Sequence, residues 1–368
     1  MANEWIGLVA ANAPDFAKGY EDLTIRSRYI LSLAKQKGRF EFNKKGYEWN
    51  WQVQFDQQNV TQYADGGNLD FERSDLFRRM TIDSRGYTAT DKMNDKEKEQ
   101  YGGNTGLINR YNEIGKLLMQ SLSDKFGAEL YKDGNATGRE NSIHGIESFM
   151  GNGTTVAADI FAKPDDDYAG RATDLGDQGG SWSAVLTTPP NASVATDWPY
   201  GSGDAKYDYL APKMPNWSSS NWGTSVQTWK GNCHFVISTG QTVLTMTGGT
   251  KGAVDVFVCA TDMFQGYKNS LETLRRVVVP HKGANDLGFG MAINQDGMAI
   301  MPDFDCPANT GYFINVDQMK ICSQTSSLFF SKGPEYDIKL NAYLWLMGFY
   351  GNCQWNPKWH GKTKNFAS

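Results

Sequence analysis

The stretch Tyr47-Glu48-Trp49-Asn50-Trp51-Gln52-Val53-Gln54-Phe55-Asp56 alternates large apolar and polar side chains without a break. A period of two sends alternate side chains to opposite faces of an extended strand. The apolar positions are aromatic apart from Val53, and all are good strand formers. The stretch therefore reads as a β-strand with one apolar face (Tyr47, Trp49, Trp51, Val53, Phe55) and one wet face. The segments on either side are strongly polar, and no adjoining apolar run is there to cover the aromatic face. The expectation is a cover from elsewhere, with another subunit as the candidate.

Working outward, residues 57–77 are polar and rich in turn formers, and Arg78–Thr90 returns as a second strand with Met80 and Ile82 on one face. Residues 38–90 thus read as one long β-hairpin with a flexible tip, a structure that is marginal in water by itself. Arg78 and Arg79 at its base are candidates for bidentate pairs with carboxylates of a neighbouring subunit. The plainer alternative is charge guarding an exposed strand edge. Before the hairpin, residues 14–37 read as a helix opened by Pro14 and ended by Gly38. After it comes a charged stretch, 91–103. A long amphipathic helix then covers Asn104–Asp133, with Leu107, Tyr111, Ile114, Leu118, Leu122, Phe126 and Leu130 forming one stripe. At ~1.5 Å per residue it spans roughly 40 Å.

Residues 150–232 are rich in Gly, Ser, Asp, Trp and Pro and read as a loop-rich insertion anchored by Trp182, Trp198, Trp217, Trp222 and Trp229. Beyond it the pattern gives strands at His234–Leu244, Ala253–Cys259, Val277–Val279, Met298–Met301, Tyr312–Val316 and Met319–Cys322. A helix follows at Asp262–Arg276, and Glu335–Tyr350 reads as a long strand or strand pair. The fold class is α+β.

Composition narrows the function. The 368 residues are 40% hydrophobic and 21% charged, so the chain is globular. A net charge of −5 does not suit a general nucleic-acid binder, although residues 18–45 and the tail from Trp355 are locally basic. No basic segment followed by an apolar one opens the chain, and no run reaches the ~18 apolar residues of a membrane span. The five cysteines are scattered without a CxxC, as expected of small buried residues in a reducing compartment.

Motifs for chemistry are missing or degenerate. His144, His234, His281 and His360 share no metal-binding spacing. Cys233-His234 looks like a nucleophile and its base, but on a strand adjacent side chains diverge. No GxSxG elbow occurs. Gly361-Lys362-Thr363 ends like a phosphate loop, yet Asn356 stands where its first glycine belongs. Gly288-Phe289-Gly290 lacks the third glycine of a dinucleotide site. Asp165-Asp166-Asp167 lacks the alternating ligands of a calcium loop. The Trp-rich insertion raises a carbohydrate-binding or tail-associated β-rich protein as the alternative function, although no carboxylate pair for glycoside hydrolysis stands out.

The order of elements, together with Gly134-Asn135-Ala136-Thr137-Gly138, Ile143-His144-Gly145-Ile146-Glu147, Val254-Asp255-Val256-Phe257-Val258, Asp262-Met263-Phe264-Gln265-Gly266-Tyr267 and Asp303-Phe304-Asp305-Cys306-Pro307 before Gly311-Tyr312-Phe313-Ile314-Asn315, resembles the major capsid proteins of tailed bacteriophages with the Hong Kong 97-type fold. The resemblance implies an N-terminal arm and helix (1–38), an extended hairpin loop (39–97), a peripheral domain with its spine helix (98–137, completed by strands in 323–368) and an axial domain (138–322) holding the insertion. It implies a structural, non-enzymatic subunit that assembles through hexamers and pentamers into an icosahedral shell around double-stranded DNA. Implied partners are other copies of itself, a separate scaffolding protein, portal and decoration proteins, and non-specifically packaged DNA, with no membrane and no cofactor. The implied location is the virion, after assembly in the host cytoplasm. The residues put forward for contact between subunits are Tyr47, Trp49, Trp51, Val53, Phe55, Arg78 and Arg79.

Overall fold

The computed structural model describes residues 29–54, 76–100, 104–150, 167–173, 228–273 and 292–364, with single positions between them. The expected strand at Val277–Val279, the Asp165-Asp166 pair, Gly288–Gly290, His281, Phe55, Trp182, Trp198 and Trp222 lie outside the described residues.

Helix α1 (Tyr29–Gln36) buries Ile30, Leu31 and Ala34, which recur at helical spacing. Strand β1 (Phe40–Glu41) follows, then the hairpin of β2 (Glu48–Gln54) and β3 (Phe77–Asp83). The expected single strand over Arg78–Thr90 is two strands. The chain breaks at Ser84, whose N–H donates to the Tyr47 carbonyl at 2.8 Å, and β4 (Arg85–Asn94) departs to another sheet. The hairpin proper is β2 with β3. The charged stretch contains the short helix α2 (Asp95–Gln100), and α3 (Asn104–Glu129) is the long helix.

The expected stripe of α3 faces inward. Ile114, Leu118, Leu122, Phe126 and the following Leu130 are buried, and Tyr111 is half-buried against them. They pack on a five-stranded sheet ordered β1, β11 (Met319–Ser323), β13 (Ala342–Trp355), β12 (Phe330–Asp337). β4 pairs with Ala342–Gly351 of β13, and β11 with Gly351–Trp355. Phe126 meets Phe349 edge-on at 4.9 Å and Phe329 at 5.9 Å, the offset geometry that aromatic quadrupoles favour. At the end of the helix the fully buried Glu129 is held by Lys125 (2.9 Å), Lys132 (3.3 Å) and Arg139. Burial alone would raise its pKa; the hydrogen bond from Lys125 and the three cations outweigh that and hold it below the usual carboxylate range.

The second sheet is ordered β14 (Gly361–Lys364), β10 (Thr310–Ile314), β7 (Val256–Cys259), β9 (Met298–Pro302), β8 (Ile293–Gln295), with β7 and β9 parallel. Every residue of β7 is buried because each face has its own core. Val256 and Val258 join the cluster shared with the first sheet, while Phe257 and Cys259 join that of helices α4 (Trp229–Gly248) and α5 (Thr261–Thr273). A continuous apolar run is what a strand buried on both faces requires. By hydrogen bonding β11 lies in the first sheet and β14 in the second, although the sequence ranges grouped β11 with the axial segment and β14 with the peripheral one.

One element departs from expectation outright. His234–Leu244 is part of helix α4 and not a strand. Its buried residues Cys233, Val236, Ile237 and Leu244 recur at helical spacing, a pattern hidden by the run of β-branched and aromatic residues. Gly240 lets this helix close on the sheet, since a Cβ there would sit 2.4 Å from the Phe313 ring. Among the described residues no helix is long and apolar enough to cross a membrane.

Candidate functional site

The hairpin is where the sequence placed the contacts between subunits. Its register sets Trp49 opposite Ile82, Trp51 opposite Met80 and Val53 opposite Arg78, so these six share one face. At the base this face turns into the chain's own core. Trp49 is 3% exposed, and Met80 and Ile82 are buried with it. Trp51 is half-buried beside Tyr168, with ring centroids 6.5 Å apart, and Val53 is half-buried against the same cluster. The aromatic face therefore has a home after all. Its cover includes a residue distant in sequence, Tyr168.

Tyr168 organises that cover. It is fully buried, donates from its hydroxyl to the Cys353 carbonyl (3.2 Å) and accepts from the Trp355 N–H (2.9 Å). It sits in the small hairpin of β5 (Asp167–Tyr168) and β6 (Arg171–Ala172). That turn also fastens the outer edge of β3: the Thr81 N–H donates to the Ala169 carbonyl (3.0 Å), and Arg171 Nε donates to the Arg79 carbonyl (3.2 Å). Around it, His144 and His360 are buried among Tyr168, Phe149 and Trp355. Burial drives the pKa of each down to about 3, with the Arg85 charge adding to the effect at His144.

Trp49 is a core residue of its own chain, its indole desolvated within the subunit. Arg78 and Arg79 lie on opposite faces of β3. Adjacent strand residues face opposite ways, so Arg78 lies half-buried on the aromatic face and Arg79 is exposed on the wet face, and neither is at the base. Tyr47 is 72% exposed. Beyond the anchored base, Val60 (91%), Phe71 (89%) and Phe77 project into solvent. Further exposed apolar side chains are Phe304, at the turn after β9, and Ile338 and Leu340, at the turn between β12 and β13.

The chemical motifs resolve into structure. Lys362 sits in β14, and its Nζ is 2.6 Å from Oε2 of Glu147; both groups are buried, and the Tyr312 hydroxyl donates to the other carboxylate oxygen. An ammonium committed in this way is not a phosphate-loop lysine. Because α4 is a helix, Cys233 and His234 do converge, on Ser270 Oγ at 3.2 and 2.9 Å. Ser270 Oγ also lies 2.6 Å from the Tyr267 carbonyl, to which it donates. Cys233, Cys259, Cys306, Cys322 and Cys353 are all buried, and none of them is in a disulfide. Trp217 and Trp229 are core, packed edge-on at 5.5 Å, and Trp229 Nε1 donates to the Met263 carbonyl. Among the described residues no cluster of metal ligands forms.

No protein-family profile matches the sequence, and no curated protein matches it. Solved structures do. The chain superposes on the Cyanophage A-1(L) capsid asymmetric unit with TM-score 0.56 at 13% identity, covering 91% of this chain and 92% of that one. The capsid of an empty GTA particle gives 0.53 at 11% identity, covering 92% and 91%. The capsid of Cyanophage P-SCSP1u gives 0.50 at 7% identity, covering 89% and 86%. The chain has the α+β fold of phage capsid subunits over nearly its whole length, and the expected resemblance holds at that level.

Proposed function

We propose that this chain is a major capsid subunit that self-assembles, through hexamers and pentamers, into the icosahedral shell enclosing the double-stranded DNA of a tailed phage. The observation that carries this is the capsid fold spanning about nine-tenths of the chain. The hairpin supports it: its base is bolted to the subunit while the far end displays Val60, Phe71 and Phe77 to solvent. Large apolar side chains held out on a strand arm suit contact with a neighbouring copy. In this reading Tyr47, Phe55, Arg79, Val60, Phe71 and Phe77 meet the neighbour, Arg78 lies at the boundary, and Trp49, Trp51 and Val53 hold the arm's direction.

The arm (1–38), hairpin loop (39–97), peripheral domain around α3 and axial domain around the second sheet serve as the parts of that subunit. Its role is structural and not enzymatic. Its partners are further copies, a scaffolding protein, portal and decoration proteins, and packaged DNA held without sequence preference. Assembly takes place in the host cytoplasm and the product is the virion. Negative-stain microscopy of the expressed chain, alone and with a scaffolding protein, tests this. Closed shells or rings of five and six are expected; a monodisperse monomer or trimer that binds glycans overturns it.

A further inference from the structure

Tyr312 in β10 and Lys362 in β14 stand directly opposite each other in the antiparallel register. Side chains so paired lie on the same face of a sheet, and these two leave the second sheet together. They meet on one group, the Glu147 carboxylate, which comes from the turn Ile146–Ser148 beyond the end of α3. Lys362 Nζ lies 2.6 Å from Oε2, and the Tyr312 hydroxyl donates to Oε1. All three side chains are buried.

The turn that carries Glu147 is fixed by its backbone. The Ile146 N–H donates to the Leu130 carbonyl at 2.8 Å, and a Cβ on Gly145 would sit 2.4 Å from the carbonyls of Glu129 and Lys132. The segment is thus pressed onto the last turn of α3 with no room for a side chain. Amine, carboxyl and hydroxyl are brought together by three separate parts of the fold. Groups fixed in a reactive geometry behave as if present at on the order of 10⁵ M or more.

The arrangement has the parts of an amide-forming site. Burial removes the water that would hydrolyse the product. It also strips the solvation that favours an ion pair over a neutral amine and acid. Moving one proton from Nζ to Oε2 gives that neutral pair. Nζ already touches Oε2, which leaves the carboxyl carbon close to the about 3–3.5 Å of a near-attack pair. The Tyr312 hydroxyl is a donor at the oxygen where negative charge gathers as the amine adds.

We propose that Lys362 and Glu147 condense in the folded chain to an amide between Nζ and Cδ. The lone pair of Nζ forms the N–C bond while Tyr312 stabilises the charge on Oε1. The bond from Cδ to Oε2 then breaks, and Oε2 leaves as water with the proton it first accepted and a second from Nζ. No oxidant, reductant or other reactant is consumed. The link ties the end of α3, which packs on the first sheet, to the edge strand of the second, 215 positions away. It does not depend on the assembly function.

Mass spectrometry of the full, unassembled chain under denaturing conditions tests it. The folded protein should be lighter than its sequence by one water. In a tryptic digest Lys362 should go uncut, and its peptide should be joined to the one carrying Glu147. Lys362→Arg keeps the charge but should keep the full mass and give separate peptides. Chain isolated in urea and then refolded should lose the water with time. Tyr312→Phe, with circular dichroism matching the parent, should lose it about a hundredfold more slowly, the effect of removing one such donor. Full mass and two separate peptides in the folded parent overturn the proposal, whether or not either variant folds. Water lost equally by Lys362→Arg overturns it as well, and a Tyr312→Phe rate equal to the parent's overturns the role given to Tyr312.

Discussion

Replacing Trp49 by Ala separates the two roles of the hairpin. Trp49 is nearly fully buried opposite Ile82. Truncating a buried Trp costs about 3–5 kcal/mol through lost burial and the cavity left behind. The indole N–H has no hydrogen-bond partner, so no bond is lost with it. Lys44 Nζ lies 5.5 Å above the ring, which adds about 0.5–1 kcal/mol. The expected loss is thus about 3.5–6 kcal/mol in the unassembled subunit. Urea denaturation followed by far-ultraviolet circular dichroism reads it as a midpoint lowered by about 1 M or more. Phe71→Glu is the counterpart. Phe71 is 89% exposed, so the subunit's stability should change by less than about 0.5 kcal/mol, while assembly into shells or rings fails. If Trp49→Ala leaves the melting curve within about 1 kcal/mol of the parent and yet abolishes assembly, the aromatic face belongs to an interface and the packing argument is refuted.

Three further outcomes follow from the interior. His144 and His360 have folded pKa values near 3 against 6.5 unfolded, so the folded state binds fewer protons. Their contribution to stability is present above pH 6.5 and is lost as pH falls from 6.5 toward 3, at about 1.4 kcal/mol per pH unit for each; denaturation midpoints at pH 7 and pH 5 should differ, and His360→Phe should reduce that slope by about half. Gly240→Ala should destabilise by about 1–3 kcal/mol in thermal melts, because the overpacking against Phe313 outweighs the gain in helix propensity; a more stable variant would show that the helix can step back. Lys362→Met strands the buried Glu147 carboxylate and should cost about 3–5 kcal/mol. Adding Glu147→Gln should recover most of it, and a double variant no better than the single would mean that the pair does not carry the effect.

How much the sequence disclosed depended on whether a pattern's partner was local. The stripe of α3 and the runs at β7, β9, β10 and β11 were legible because periodicity alone decides them. Helix α4 was not, since Phe235, Val236 and Ile237 in succession fit a strand as well as a helix in a short window, and long-range packing such as Gly240 against Phe313 decides between them. The face of β2 was legible residue by residue, but its cover was not. Tyr168 lies more than a hundred positions away, in a segment whose composition signals loops. The break at Ser84 was hidden because alternation continues through β4 into a different sheet. The diverging faces of Arg78 and Arg79 were within reach: the period of two applied to Cys233 and His234 separates them just as well. For Cys233 and His234 the same rule failed, because its premise, a strand, was wrong.

The hairpin's division of labour follows from these energetics. A two-stranded arm ordered only on meeting a neighbour would lose backbone freedom at about 1–2 kcal/mol per residue at that moment, enough to cancel the burial of several aromatic side chains. Here Trp49, Met80 and Ile82 are already in the core, and the turn at Ala169 and Arg171 already holds the edge of β3. The ordering cost of the base is therefore met within the subunit. Such an arm keeps its direction before it meets a partner. Among the described residues its outer end exposes Val60, Phe71 and Phe77, worth ~1.5–3 kcal/mol each when covered. Closure of a shell without trapped errors requires contacts of that modest strength, repeated by symmetry.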